Sequence, residues 1–170
     1  MIVSRGLAWL LFLAWVTWGF ALQGWLGGGS RWMPDLGLVL ALSLLARLDA
    51  RGAPLLALCV ALARASLSSE PAVALLAGAS GVVLLALAAR SVVELTGPLW
   101  RAAVAGALVF VFDAWLMAVH HVRARDLAGG LPFDPIAILP AALTSALLAL
   151  VLGPALVHLP GLSPLRSRRW

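Results

Sequence analysis

The chain has 170 residues, of which 63% are hydrophobic and 11% charged, with a mean hydropathy of +1.04 and a formal net charge of +5. Soluble domains carry about 25% charged residues, so this composition excludes a water-soluble surface, and the length leaves no room for a separate soluble domain. All twelve cations are arginine and sit mostly at the ends of apolar runs, where they read as topology signals rather than as a nucleic-acid patch.

The expectation is one all-α domain over residues 1–170, a polytopic bundle of six transmembrane helices, each of about 20 residues. The first segment resembles a signal peptide in its basic start, Met1 to Arg5. However, Trp9, Trp15, Trp18 and Phe20 are bulky, and no small-x-small cleavage site follows. It is read as a retained helix over 6–26, ending in Gly27-Gly28-Gly29-Ser30.

Helix two opens at Pro34-Asp35 and is apolar only from Leu36 to Ala46. Such a run rises about 16 Å against a hydrocarbon core of about 30 Å. It extends to 33–50 if Arg47 snorkels to the headgroups; a re-entrant segment is the alternative. Helices three to six are expected over 53–69, 71–89, 98–122 and 135–159. Pro34, Pro71, Pro98 and Pro135 each fit a first helical position, where a missing N–H costs nothing. Asp134 is placed to cap helix six, and Asp35 and Glu70 lie near positive helix ends.

Orientation follows from the arginines. With six spans and the N-terminus inside, Arg5, Arg47, Arg51, Arg90, Arg101, Arg166, Arg168 and Arg169 are cytoplasmic, against Arg31, Arg123 and Arg125 outside. This bias predicts both termini in the cytoplasm.

Charges inside a span are costly and mark function by default. Arg64 lies about five residues from the outer end of helix three and Asp113 about nine from that of helix five, a depth difference of about 6 Å that an arginine bridges. The two are expected to pair. The pair either staples two helices or binds a substrate or ion; alternatively Arg64 snorkels alone. His120 and His121 are adjacent, so they face different sides of a helix and do not chelate one metal. His158 sits at the inner end of helix six. Ala74, Ala77, Gly78 and Gly81 form a small-residue face suited to close helix packing, within the chain or with a partner. Trp25, Trp32, Trp100 and Trp170 fall at expected interfaces. Cys59, the only cysteine, lies in an apolar run, so there is no disulfide framework. No catalytic set, cofactor motif or metal-ligand spacing stands out.

The layout resembles the MreD family of bacterial rod-shape-determining membrane proteins. The residues that carry the likeness are Arg31-Trp32-Met33-Pro34-Asp35-Leu36, the turn Leu67-Ser68-Ser69-Glu70-Pro71, Asp113 in an apolar helix five, and Leu139-Pro140-Ala141-Ala142-Leu143-Thr144-Ser145-Ala146-Leu147 with Gly153-Pro154. Helix three departs from the family pattern. It has no glycine after Gly52, and Arg64 stands where the family has an acid. The resemblance implies a non-catalytic scaffold in the inner membrane that docks the bitopic protein MreC. Through it the scaffold reaches MreB filaments, and it also works with the RodA glycosyltransferase and its partner transpeptidase in lateral cell-wall synthesis. The family's fold is similar to the substrate-binding S-components of energy-coupling-factor vitamin transporters. Such a vitamin-binding subunit is the alternative reading, with Arg64, Asp113, Trp115 and His120 as its pocket candidates.

Overall fold

The computed structural model describes residues 4–27, 30–92, 97–125 and 134–166. Six α-helices follow one another: α1 (Arg5–Gly27), α2 (Leu36–Leu45), α3 (Ala53–Ala65), α4 (Ala72–Val92), α5 (Pro98–Arg125) and α6 (Leu139–Leu156). Short 3-10 segments stand at Ala50–Gly52, Pro135–Ile138 and Ser163–Leu165. Among the described residues four helical stretches, namely α1, α4, α5 and α6 with its leading 3-10 turn, are long and apolar enough to cross a membrane. The chain is therefore a membrane-embedded, multi-pass, all-helical protein. Met1, Gly28, Gly29, Arg168, Arg169 and Trp170, which enter the sequence reading, lie outside the described residues.

The shortest α-helix is the centre of the bundle. Gly37, Leu38, Val39, Leu40, Ala41, Ser43, Leu44 and Leu45 of α2 are all buried, and α2 touches each of the other five α-helices. A helix that is apolar all round must be enclosed on every side. Its one polar side chain, Ser43, is quieted by donating to the Val39 carbonyl at 2.7 Å. Around it, α3 packs on α1, α4 on α3, α5 on α4 and α6 on α5. The Ser163–Leu165 turn folds back onto α1, helped by Trp15 Nε1 donating to the Pro160 carbonyl at 3.4 Å and by an isolated antiparallel bridge between Leu48 and Arg166.

The ring helices each bury one stripe. In α1 this is Ala8, Phe12, Val16 and Phe20, at the four-residue step that keeps side chains on one face. Trp18 and Trp25 stay exposed on the other face. The α1–α2 crossing is tight at Gly37, where a Cβ would lie 2.5 Å from the Phe20 ring. On α6, Leu139, Leu143, Leu147 and Val151 form an exposed apolar ridge.

Several boundaries differ from those read in the sequence. Helix two, expected over 33–50, is confined to Leu36–Leu45. Asp35 stops it at one end by accepting from the Leu38 N–H. At the other, Arg47 and Leu48 turn back onto the Leu44 and Leu45 carbonyls. Pro34 and Pro71 thus precede their helices, whereas Pro98 opens α5 and Pro135 opens its 3-10 turn, capped by Asp134. Helix three ends at Ala65 rather than 69, where the Ser66 hydroxyl takes the Ala63 carbonyl. Helix six begins as a 3-10 turn and ends at Leu156, two residues past Pro154.

Candidate functional site

At the end of the bundle where α1, α3 and α5 finish and α2, α4 and α6 begin, the helices splay around a cavity of about 930 Å³. Its deepest polar group is a three-residue ionic junction. Asp35, only 1% exposed, has every polar atom engaged. Its N–H donates to Ser145 Oγ at 2.8 Å, Oδ1 accepts from the Leu38 N–H at 2.8 Å, and Oδ2 accepts from Arg64 Nη1 at 2.5 Å. Its carbonyl accepts from the Val39 N–H at 3.0 Å. A carboxylate this buried is tolerable only when fully satisfied. Two of these four contacts tie α6 and α3 to the start of α2, and the other two close the first turn of α2 itself.

Arg64 also reaches Asp113, with Nη2 3.7 Å from Oδ1. Its guanidinium lies over two aromatic rings, 5.2 Å from the Phe20 centroid and 5.1 Å from that of Phe112, where ring quadrupoles add attraction for the cation. Thus α1, α2, α3 and α5 meet at one arginine. The absent side chain at Gly37 is what lets Phe20 sit there.

Higher on the wall, Glu70 Oε1 meets His120 Nε2. The Glu70 side chain is only 9% exposed, and its Oε2 is buried with no hydrogen-bond partner among the described residues. Gln23 Oε1 is in the same condition. Arg31, Ser68, His121 and Asp134 line the cavity as well, beside the apolar Leu116, Met117 and Ile138.

The structure therefore brings Arg64 and Asp113 together and adds Asp35, the closer of the two carboxylates. In the sequence Asp35 stands out as a helix start and as part of the family-like Arg31–Leu36 motif, not as a partner of Arg64. Its depth was hidden because helix two was taken to reach the membrane surface, which would place its first residue among headgroups. The small-residue face divides. Trp115 Nε1 donates to the Ala74 carbonyl at 2.8 Å, and its ring occupies the space at Gly78, where a Cβ would lie 2.6 Å from Cδ1. Ala77 is exposed, and Gly81 has open space beside it. His158 lies away from the cavity, 3.0 Å from Arg166 Nη1. Among the described residues no three His, Cys, Asp or Glu side chains converge as metal ligands. The chain matches no protein-family model, no curated protein and no solved structure.

Proposed function

We propose that this chain is a non-catalytic scaffold of the MreD type in the bacterial inner membrane, crossing it six times with both termini in the cytoplasm. It docks an MreC-like bitopic protein and through it MreB, and it works with the RodA–transpeptidase pair, linking lateral wall synthesis to cell shape. The observation that carries this reading is the Arg64 junction. It anchors the Arg31–Leu36 segment, on which the family likeness leans most, to α3 and α6 through Asp35. The Asp35, Arg64 and Asp113 charges inside the bundle hold helices together. What faces outward is apolar helix surface, such as the Leu139–Leu143–Leu147–Val151 ridge, suited to a partner's transmembrane helix.

Six crossings are compatible with a short α2. Ten residues rise about 15 Å, but non-helical backbone is tolerated at membrane depth where it lines a polar cavity. Ser30, Arg31 and Met33 do line it. Helix α2 then has to cover only the distance from the cavity floor to the inner surface.

Affinity purification of the tagged chain from native membranes tests the reading. It is expected to recover an MreC-like protein in near-stoichiometric amount, and a photo-crosslinker replacing Leu147 is expected to reach it. Intact chain recovered without such a partner would sink the scaffold.

A second reading has one observation behind it. The cavity is of the size that encloses small-molecule ligands, about 300–1,000 Å³, which suits a vitamin-binding S-component. A large thermal shift with thiamine, riboflavin or biotin would favour it over the scaffold.

A further inference from the structure

The cavity carries an asymmetry that neither reading uses. The chain as a whole is basic, with a net charge of +5. Yet among the described residues the formally charged ones lining the cavity are Arg31 and Arg64 against Glu70, Asp113 and Asp134, with Asp35 immediately behind Arg64. Arg64 is already shared by two carboxylates. Among the described residues, the buried polar atoms left without partners here are both acceptors, Glu70 Oε2 and Gln23 Oε1. A buried carboxylate oxygen with no donor is costly, and the cost is removed by a ligand that brings N–H groups to it. His120 holds the other oxygen of Glu70 and so fixes the carboxylate in place.

We infer that the cavity is a binding site for a primary ammonium group, seated on Glu70 with its carbon skeleton against Leu116, Met117 and Ile138. An ammonium supplies three N–H donors and a positive charge, matching a site whose unpartnered buried atoms are acceptors, one of them on a carboxylate. Two sources share this chemistry. One is the headgroup of an ethanolamine phospholipid entering from the bilayer, the other a free amine entering from the aqueous mouth. The inference rests on the cavity alone and holds whether or not a partner protein docks on the helix faces.

The test uses the full chain in phosphatidylcholine nanodiscs, with thermal stability and intrinsic tryptophan fluorescence as readouts. The probes are 2-phenylethylamine, its neutral counterpart 2-phenylethanol, and the short-chain lipids dihexanoyl-phosphatidylethanolamine and dihexanoyl-phosphatidylcholine. Saturable stabilisation is expected from 2-phenylethylamine, from dihexanoyl-phosphatidylethanolamine, or from both, and the pattern identifies the source. The alcohol and the choline lipid, which lacks N–H donors, are expected to do nothing saturable. Glu70→Gln keeps the shape and removes the charge, and it is expected to weaken binding at least about tenfold. Gln23→Ala keeps Glu70, is expected to weaken it by a smaller factor, and keeps the test decisive should Glu70→Gln misfold. No response to either ammonium probe overturns the inference. So does an equal response to the alcohol, or undiminished binding in both variants when circular dichroism shows them folded.

Discussion

The two ends of the bundle use arginine in opposite ways. At the cavity end Arg64 is enclosed between Asp35 and Asp113 and between two aromatic rings. At the other end Arg90 donates to backbone, taking the Leu45 carbonyl at 3.3 Å and the Leu48 carbonyl at 2.7 Å where α2 runs out. The cavity end stands open by about 930 Å³, while the space between α2, α4 and α5 beside Arg90 and Arg101 is about 20 Å³, room for roughly one water. One end is held by charge on charge around a polar opening. The other is closed by a cation that satisfies the carbonyls every helix C-terminus leaves over. The contrast teaches that the same residue type has different energetic weight depending on what would be stranded by its loss.

That difference has a direct test. Arg64→Met leaves two carboxylates deep in the bundle without their cation, and breaking a buried pair costs about 3–5 kcal/mol. A loss near the lower bound is expected, since Arg64 is 20% exposed, measured by reversible unfolding in mixed micelles. Adding Asp35→Asn and Asp113→Asn to Arg64→Met is expected to recover part of the loss, because asparagine still caps α2 and no unpaired charge remains. If the triple variant is worse than the single one, the junction is not held by charge.

Gly37→Ala comes next. The added methyl overlaps the Phe20 ring, pushing it off Arg64 or forcing α1 away from α2, and overpacking of this kind costs about 1–3 kcal/mol. Arg90→Ala ranks third, at about 1.5 kcal/mol, the scale of hydrogen bonds from a charged donor. The two carbonyls it releases lie at the end of α2, where the exposed Asp49 and Ala50 show that water is close enough to replace the arginine. A thermal-melt series of these variants should keep this order; a larger effect for Arg90 than for Arg64 would invert the comparison.

Much of this bundle was legible in the amino-acid sequence because apolar length and proline placement are local signals. The runs behind α1, α4, α5 and α6 each announce a helix, and Pro98 and Asp134 start theirs as their chemistry requires. The depth argument relating Arg64 to Asp113 used helix rise alone, and the two side chains do lie 3.7 Å apart. What stayed hidden was non-local. That α2 is short because it is central depends on five other helices enclosing it. That Asp35 is buried behind Arg64 follows from that shortness. The Glu70–His120 contact joins residues fifty positions apart, and no spacing rule connects them. The small-residue face was read as one surface, but only its Ala74–Gly78 part receives Trp115.

On the six-crossing reading proposed above, the open and closed ends lie on opposite sides of the membrane, with α2 and α3 both crossing it. Single cysteines read by a membrane-impermeant maleimide decide this most directly, because Cys59 is the only native thiol and is buried. In a Cys59→Ala background, Ser30→Cys should label from outside intact spheroplasts, and Ser163→Cys only after permeabilisation. The decisive site is Ala50→Cys, exposed in the turn between α2 and α3. Six crossings require it to be protected until the membrane is opened. Labelling of Ala50→Cys from outside would mean that only the four long helical stretches cross, and would contradict the account.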